Sequence, residues 1–556
     1  MRLAPSSARW RPAGAASATD RRRAESHPVP APHRQRTTSG ASGGRMSSPH
    51  HHFRNLPMYT KLSRRAVLKQ SFGGLLLLSL RPDAARTGTP SKRLPFSLFK
   101  LGPDYAAYRD AIKAMRANAN SASPASWGYW SNIHVNSCPH GIAYFLAWHR
   151  GYLGYFERQL RLVSGRPGLT LPYWDYYTTP SIPAEFLDSA STNPLYVPRT
   201  NSNVAPALTL TPFANNLTAL PRGYADAYEP SIEDAPHNPV HDIIGGLMAD
   251  MQSPLDPIFW LHHANIDRLW SAWVAAGNGR QMPPRLAAYW NGMFNYASAP
   301  SLPRRSTYDT RNNLFSYYYH NEILPSQLPL AIINPAASTA QTASQEQERA
   351  TSPQAQQSNP PGARLKRPPI GPFAPIGMRQ RGASRLCLGG AGKVTLDHIS
   401  VSAALPLIQP AHRILQQVLA KYDASPFAPS DSSAPPYTRL EVVLDQPRVT
   451  AAGLGGGYFY KLYLNLPSDR DTINDVDTHY LGTLGPFQLA GLRHHQRMGH
   501  AATTLSFAAT SLLLRFRGQD LSAMTMSFVR VNGDNAPRGD AIHIDECRIE
   551  AVEEVH

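Results

Sequence analysis

DPIFWLHHANIDRLW, residues 256–270, combines helical periodicity with two adjacent histidines among aromatic side chains. His263 shares a predicted helix face with Phe259 and Asp267, because residues four apart lie on the same side of an α-helix. His262 points about 100° away from His263 on the same helix. The spacing predicts that only one of the two can face a metal, and we assign that role to His263 and a supporting position to His262.

Two further histidines stand shortly before this helix, in the stretch HNPVH, residues 237–241. His237 and His241 are four residues apart, so on one helix they lie on the same face and reach one metal together.

The first cluster in chain order lies about a hundred residues earlier, in IHVNSCPHGIAYFLAWHR, residues 133–150, and includes His134; residues 237–263 form the second. His149 belongs to a helical apolar stripe with Phe145 and Phe156, which predicts that its ring points into a bundle core. His140 precedes His149 by nine residues and is half a turn out of phase, so we place it on the loop leading into that helix.

A histidine among aromatic residues is ordinarily a core or surface side chain, but here the same context recurs in two clusters. Neither set brings carboxylates or paired thiolates, and a structural zinc site would use four closed ligands, often cysteine. Imidazole suits copper, and two Cu(I) ions together carry the two electrons that reduce O2 to peroxide. The pattern therefore predicts a dinuclear copper centre with O2 as co-substrate. The six candidate ligands are His134, His140, His149, His237, His241 and His263.

These stretches resemble the tyrosinase, catechol oxidase and haemocyanin group of type 3 copper proteins, over about residues 134–157 and 231–273 and in LPYWD, residues 171–175. The resemblance implies that Phe259 packs over the copper pair. It also implies that His134, His140 and His149 hold the first copper, and that His237, His241 and His263 hold the second.

Cys138 precedes His140 by two residues, the spacing at which many members of this family carry a cysteine–histidine thioether. The resemblance implies that crosslink here. The alternative is a thiol that serves as a small buried hydrophobe, the usual fate of a free cysteine.

Glu233 and Asn238 resemble the family pair that holds a water able to accept the proton of a phenol, an arrangement suited to general-base catalysis. The alternative is that Glu233 caps the helix carrying His237. No phenylalanine lies between Gly246 and Asp256, so the bulky blocker of some plant catechol oxidases is absent, which favours access for monophenols.

The formal net charge of +17 over 556 residues is concentrated at the N-terminus. Residues 1–100 carry almost all of it, and the remainder is nearly neutral, which argues against nucleic-acid binding. SRRAVLK, residues 63–69, followed by the apolar run 71–80, predicts a twin-arginine export signal, and the run is too short to span a bilayer. The alternative is a basic amphipathic or anchored N-terminus.

We therefore expect a periplasmic or secreted protein without a stable membrane span. Residues 1–57 are predicted to be disordered or untranslated, and residues 58–92 to form the signal region, with the mature chain beginning between 82 and 92. Residues 334–383 are rich in Ala, Ser, Gln, Pro and Arg and are predicted to be a disordered linker.

The resemblance implies a mainly α catalytic domain over residues 95–325, an antiparallel four-helix bundle around the dicopper site. Residues 384–556 are predicted to form an all-β, sandwich-like domain, because β-prone residues recur in short runs. Those runs are 439–444, 458–466, 503–516 and 524–531. A β-domain after a linker resembles the latent form of the family, in which the C-terminal domain shields the active site.

Several side chains of the C-terminal part are assigned provisional roles. Tyr458, Phe459 and Tyr460 are candidate plugs of the active site, although their alternation also suits an ordinary strand. Lys366–Arg367 and Arg379–Arg381 are candidate cleavage sites on composition. Cys387 and Cys547 form either a disulfide or two buried thiols. Residues proposed to hand over copper, or to lie in an exposed polar loop, are His494, His495 and His500.

The expected function is a copper-dependent phenol oxidase, a tyrosinase that hydroxylates monophenols and oxidises o-diphenols to o-quinones. The alternatives are a catechol or o-aminophenol oxidase without monophenolase activity, and a haemocyanin-like oxygen-binding protein. Phenolic small molecules are the expected partners, together with a copper-delivering chaperone. Melanin formation, detoxification of phenols and secondary metabolism are all compatible roles.

Overall fold

A computed structural model describes the chain from residue 90 to residue 553, with gaps. The described ranges are 90–224, 226–296, 301–311, 315–329, 365–382, 384–423, 436–468, 476–497 and 503–553. All of them belong to one unit, residues 67–556. The predicted N-terminal extension, the twin-arginine segment, most of the predicted linker and His500 lie outside the described residues. In the described part of the chain, no helix is both long and apolar enough to cross a membrane.

The N-terminal domain is mainly helical, as predicted. Its helices are α1 (Phe96–Phe99), α2 (Tyr105–Ala117), α3 (Trp127–Ser137), α4 (Phe145–Ser164), α5 (Tyr228–Ile232), α6 (Asn238–Ile244) and α7 (Ile258–Ala275). The long helix α4 packs against both α2 and α7. Its predicted stripe is buried throughout, and the rings of Phe156 and Trp260 stack with centroids 3.4 Å apart, which joins α4 to α7.

Two pairs of short strands close this domain. Strand β1 (Ser91–Arg93) pairs in parallel with β4 (Tyr317–Tyr319), and β2 (Met293–Phe294) pairs with β3 (Leu302–Pro303). The folded domain thus begins before the predicted boundary at residue 95 and includes the last residues of the predicted signal region. Arg93 explains this difference, because its buried side chain donates to Glu157 in α4 over 2.8 Å.

The C-terminal domain is a β-sandwich-like fold, as predicted. Its larger sheet runs β13-β9-β15-β7-β5, with β10 and β6 paired at the side, and its smaller sheet runs β12-β11-β14-β8. The strands are β5 (Ala374–Ile376), β6 (Arg379–Gln380), β7 (Arg385–Leu396), β8 (Val401–Pro406), β9 (Tyr437–Asp445), β10 (Arg448–Val449), β11 (Tyr458–Leu464), β12 (Tyr480–Leu484), β13 (Thr504–Ala508), β14 (Ala523–Asn532) and β15 (Ile542–Glu553).

Two details of this domain differ from expectation. It also contains helices, which are α8 (Gln409–Asp423), α9 (Pro486–Arg497) and α10 (Thr510–Leu514). The domain begins before residue 384, because β5 and β6, which lie within the predicted linker, both pair with β7. These short strands are held at the sheet by backbone pairing with β7, so they need no hydrophobic pattern. Arg379 and Arg381 consequently pair with carboxylates of the sheet.

The disulfide alternative for Cys387 and Cys547 is wrong, and both side chains are buried free thiols. The cysteines lie on neighbouring strands, but Cys547 is opposite Ala391 and Cys387 is opposite Glu550. This offset in register keeps the two thiols apart.

Candidate metal centre

Three elements of the first sequence cluster bring together His134, His140 and His149. His134 lies on α3, His149 lies on α4, and His140 lies on the connecting loop, as the spacing predicted. Their nitrogen atoms lie within 4.8 Å of one another, together with the thiol of Cys138. His134 and His149 are buried and His140 is partly exposed.

The second cluster converges in the same way. The Nε2 atom of His263 lies 3.4 Å from Nε2 of His237 and 3.3 Å from Nε2 of His241. His241 and His263 lie within α6 and α7, whereas His237 immediately precedes α6, after a kink at Ala235. The prediction that His237 and His241 lie on one helix face therefore holds approximately, because His237 stands at the start of α6.

The two clusters face each other across a short gap. The rings of His149 and His263 stack with centroids 4.3 Å apart and planes 18° from parallel, and His140 stacks on His237 at 5.7 Å. The arrangement is a single site with two sets of nitrogen donors.

Hydrogen bonds to the protein set the tautomer of four of these rings. The Nδ1 atoms of His134, His149 and His241 donate to the main-chain carbonyls of Met251, Phe145 and Met248, each over 2.8 Å. Nδ1 of His237 lies 2.9 Å from Oδ1 of Asn238. Because a carbonyl oxygen only accepts, Nδ1 carries the proton and Nε2 keeps a free lone pair, as in histidines that bind metals.

Burial keeps these rings neutral. It lowers the pKa of His134 to about 4 and lowers the pKa of His149, His237, His241 and His263 well below the usual value, with neighbouring histidines adding to the effect. The Nε2 atoms of His237 and His241 both face Nε2 of His263, at 3.4 and 3.3 Å, as donors around one cation would. Nε2 of His134 has no hydrogen-bond partner among the described residues although it is buried. This donor set fits two copper ions.

His262 and Phe259 both lie beside the convergent histidines, and their supporting roles stay predictions. The ring of Phe259 lies 4.2 Å from His263 and 5.2 Å from His134. His262 belongs to the same group of potential donors as His237, His241 and His263, and burial lowers its pKa to about 3. Both of its ring nitrogens lack hydrogen-bond partners in the described residues, but no short contact joins them to the convergent Nε2 atoms.

Cys138 lies beside His140, as the thioether prediction requires. Its Sγ is 3.5 Å from Nε2 of His140 and 3.3 Å from Nε2 of His149. Burial, with a contribution from Glu233, raises the pKa of the thiol well above its usual value.

Glu233 and Asn238 both lie at the site, but their contacts differ from those of a simple helix cap. Glu233 accepts hydrogen bonds from the Gly141 amide over 2.6 Å and from Nη2 of Arg222 over 2.5 Å. Burial raises the pKa of Glu233, while Arg222 and the Gly141 amide lower it. Asn238 orients the ring of His237. The helix-cap alternative for Glu233 is therefore wrong, because its carboxylate binds the loop after His140 instead of the first amides of the helix that follows His237.

Glu229 is a functional residue that the sequence analysis missed. It is buried one helical turn before Glu233, and its carboxylate accepts from the amides of Tyr144 and Leu146 at the start of α4. The first amides of a helix lack partners within the helix, so Glu229 caps the helix that carries His149. The sequence did contain a signal for this residue, because Glu229 precedes Glu233 by four residues and so lies one helical turn before it. Glu229 and Glu233, which shortly precede His237 in the chain, thus hold the segment between His140 and His149.

We predict that Glu229 makes the stability of the copper-free protein depend on pH. Burial and the nearby Glu233 raise its pKa from 4.5 to about 7, so the folded state holds this proton more tightly than the unfolded state. The resulting stabilisation is complete below pH 4.5 and is lost as pH rises through about 7, a change of about 3 kcal/mol. Glu229→Gln should remove this dependence in urea unfolding measured from pH 4.5 to 8.

Glu185→Gln is the matched control, because Glu185 is a partly exposed carboxylate paired with Lys100. Parallel pH profiles of the wild type and Glu229→Gln would contradict the prediction.

Phe487, at the start of α9, covers the histidines. Its ring stacks on His241 with a centroid distance of 3.9 Å and an interplanar angle of 12°, and it contacts His140 and His237 edge-on at 5.1 and 5.6 Å. The candidate plugs Tyr458, Phe459 and Tyr460 were the wrong residues. They lie in strand β11.

The contacts of β11 explain why its aromatic residues are not the plug. Tyr458 and Tyr460 belong to the core of the C-terminal domain, where Arg530 packs on both rings. Phe459 packs on the other sheet face, in the core shared with the helical domain. Successive side chains of a strand point to opposite faces, so those of β11 are buried in two cores. Phe487, at the start of a helix, can instead extend toward the histidines.

Two carboxylates beside the second histidine set hold the C-terminal domain in place. Asp234 accepts from the Tyr480 hydroxyl over 2.5 Å and from the Thr483 amide over 2.8 Å. Asp242 accepts from the Phe487 amide over 2.8 Å, and its main-chain carbonyl accepts from Gly457 over 2.7 Å. Burial raises the pKa of Asp242 well above its usual value, against the effect of the Phe487 amide.

Helix α9 presents one stripe to the helical domain. Phe487, Ala490 and His494 are three and four residues apart, and Ala490 belongs to the core of that domain. His494 is partly buried and close enough to His134 to lower its pKa. The proposed role of His494 in copper transfer stays a prediction, and the side chain of His495 lies outside the described residues.

Comparison with known proteins finds similarity within the helical domain. Residues 107–230 and 207–276 match the common central domain of tyrosinase. A tyrosinase of Hahella sp. is 37% identical over 193 residues, 28% of this chain and 40% of that protein. Catechol oxidase B of Solanum tuberosum is 30% identical over 236 residues, 32% of this chain and 40% of that protein.

Oxygen-carrier sequences match as well. Haemocyanin units G and H of Sepia officinalis are 29% identical over 224 residues, 35% of this chain and 39% of that protein. The chain therefore spans about two fifths of the length of these relatives. Among solved structures, latent apple tyrosinase matches with a TM-score of 0.45 at 18% identity, over 85% of this chain and 99% of that one.

Proposed function

We propose that this protein is a phenol oxidase of the tyrosinase type, because residues 107–276 match the common central domain of tyrosinase and its two histidine sets fit a dinuclear copper centre. It hydroxylates monophenols and oxidises o-diphenols to o-quinones with O2. The observation that carries the proposal is the convergence of two buried histidine sets beneath an aromatic ring, where a phenol ring would lie.

When bound, the two copper ions supply O2 binding and two-electron redox chemistry. The protein provides the rest. The carbonyls of Met251, Phe145 and Met248 fix the ring tautomers, and Phe259 excludes water from the inner side of the site. In the open site, the substrate ring takes the place of the Phe487 ring against His241, which orients its hydroxyl toward the histidines. Glu233 and Asn238 hold a water that accepts the phenol proton.

The contacts of Glu233 also support a second candidate, a catechol or o-aminophenol oxidase without monophenolase activity. Both carboxylate oxygens are already hydrogen-bonded, one to Gly141 and one to Arg222. The Arg222 guanidinium stabilises the ionised carboxylate and weakens it as a base. A diphenol needs less help with deprotonation, so this arrangement would favour diphenols.

We propose that the C-terminal domain makes the full chain latent. Phe487 is only 1% exposed and stacks on a copper ligand, so a phenol cannot reach the site while α9 is docked. Removal or displacement of the domain would open it.

The test is O2 uptake by the copper-loaded chain, intact and after cleavage between residues 334 and 364, with L-tyrosine and L-DOPA offered separately. Uptake with both substrates only after cleavage is the expected result. Uptake with L-DOPA alone would identify the catechol oxidase candidate. Reversible O2 binding without oxidation of either substrate would overturn the proposal in favour of an oxygen carrier.

We also propose that Cys138 forms a thioether with a ring carbon of His140. A carbon–sulfur bond replaces the S–H and C–H bonds, and two protons and two electrons leave, with O2 as the oxidant. Copper loading in air should lower the intact mass by two hydrogens and reduce the denatured thiol count from the three cysteines of the chain to two. Cys547→Ser should retain the mass change and Cys138→Ser should lose it. An unchanged mass and thiol count in the loaded wild type would contradict the crosslink.

Export by the twin-arginine pathway to the periplasm or the medium remains part of the proposal. It is compatible with a protein that folds around its metal before translocation. A copper-delivering partner is likewise proposed, with His494 as a point of transfer.

A further inference from the structure

Asp242 is the most unusual charged group around the proposed active site. Its carboxylate is completely buried, and no arginine or lysine pairs with it in the described part of the chain. Oδ1 accepts one hydrogen bond, from the Phe487 amide, and Oδ2 accepts none. A buried carboxylate without a cation is costly. This group therefore offers a strong site for a positively charged donor when the C-terminal domain moves away.

Phe487 shows where such a donor would lie. Its ring stacks 3.9 Å from the His241 ring, and its backbone nitrogen donates to Asp242 over 2.8 Å. Two carbon atoms, Cβ and Cα, join this ring to this nitrogen. The covering residue thus presents the skeleton of 2-phenylethylamine to the site, with its ring at the histidines and its nitrogen at a carboxylate.

We propose, on the basis of the phenol oxidase function above, that Asp242 selects phenols carrying an ethylamine side chain para to the hydroxyl. In the open enzyme the substrate ring replaces the Phe487 ring and its ammonium replaces the Phe487 amide at Asp242. An ammonium donates a charge-assisted hydrogen bond to this carboxylate and adds an attraction between opposite charges that the neutral Phe487 amide lacks. Neutral phenols lack this contact, and phenols with a carboxylate tail are repelled by Asp242.

Asp242 also has a simpler role as a cap of α9, because the Phe487 amide is one of the unpaired amides in the first turn of that helix. This role predicts an effect on domain docking and none on the choice of substrate. The two roles are therefore separated by comparing substrates in an enzyme that is already open.

The experiment uses the copper-loaded full chain carrying Gly485→Ala, which is expected to open the site, and the wild-type chain cleaved between residues 334 and 364. Three diphenols share one ring and differ in the side chain: dopamine is cationic, 4-ethylcatechol is neutral and 3-(3,4-dihydroxyphenyl)propionate is anionic. At pH 7 we expect kcat/KM for dopamine to exceed that for 4-ethylcatechol at least about tenfold. The anionic catechol should be the poorest substrate.

Asp242→Asn, made in both backgrounds, should bring dopamine and 4-ethylcatechol within about threefold of each other, mainly through a higher KM for dopamine. Asp234→Asn is the matched control, because Asp234 also binds the C-terminal domain but contacts Tyr480 and Thr483 rather than Phe487. It should keep the preference for dopamine. A preference that survives Asp242→Asn, or no preference in the parent enzyme, would overturn the inference.

A binding measurement separates this inference from the proposed oxidation chemistry. 2-Phenylethylamine has no hydroxyl and needs no copper, so calorimetry on the copper-free Gly485→Ala chain reports the site directly. We expect it to bind at least about tenfold more tightly than 3-phenylpropionate, and Asp242→Asn to abolish the difference. Failure of all catechols to be oxidised, with this binding preference intact, would overturn the proposed function alone. Equal binding of the two compounds would overturn the role of Asp242.

Discussion

His263→Ala should lower the copper content from two ions to one per chain and reduce catechol-dependent O2 uptake more than about a hundredfold. His263 provides the Nε2 atom closest to those of both His237 and His241, at 3.4 and 3.3 Å. Its loss leaves two donors for that ion. Removing only an outer hydrogen-bond partner of a metal ligand typically costs 10–100-fold, so removing a ligand should cost more. The copper content is measured on purified protein and the uptake after cleavage between residues 334 and 364.

His262→Ala is the matched control for this prediction. The two residues are neighbours on α7, are equally buried and belong to the same group of potential donors. His262 makes no short contact with the convergent nitrogens, so its variant should keep two coppers. Copper loss from His262→Ala with retention in His263→Ala would show that the ligand of this pair has been assigned to the wrong histidine.

Gly485→Ala should activate the uncleaved chain, by roughly 5- to 150-fold. A β-carbon at residue 485 would lie 1.9 Å from Oδ2 of Asp242, so either the chain before Phe487 or the buried Asp242 side chain that holds it must shift. Overpacking of this kind costs about 1–3 kcal/mol. The cost applies only to the docked form, so it moves the equilibrium toward the open form by the corresponding 5- to 150-fold. The measurement is the initial rate of O2 uptake with 4-ethylcatechol before and after cleavage.

Gly455→Ala is the control, because it adds the same methyl group in another docking loop where no atom lies within 4 Å of the new carbon. Its rate before cleavage should match the wild type. After cleavage, all three chains should have similar rates. A Gly485→Ala chain that stays latent until cleaved would argue against the docked Phe487 segment as the cause of latency.

The predictions for His263→Ala and Gly485→Ala concern the same region, the contact between the second histidine cluster and the C-terminal domain. Asp234 and Asp242 are close in sequence to copper ligands, and both bind the C-terminal domain through buried hydrogen bonds. The ligand segment of the second copper is therefore also a docking surface. Displacement of the domain would expose these carboxylates together with the histidines. The opened site would therefore also become more negatively charged at its surface.

The amino-acid sequence by itself determined which histidines form the two clusters, the helices that carry His149 and His263, and the loop position of His140. Helical periodicity and metal coordination are local in origin, since a fixed spacing puts side chains on one face whatever the rest of the chain does. The β-rich C-terminal domain was predicted on the same local grounds. Its boundary was not, because the edge strands β5 and β6 are held by backbone pairing with β7.

Only the tertiary structure decided how the site is covered and supported. Glu229 and Glu233 bind amides more than eighty residues away, and Phe487 lies more than two hundred residues after the histidine on which it stacks. Such contacts depend on how two separately formed domains dock, which no local pattern encodes. The alternation of Tyr458, Phe459 and Tyr460 correctly indicated a strand, and for that reason their rings were committed to hydrophobic cores. The covering ring comes instead from a helix start held by Asp242.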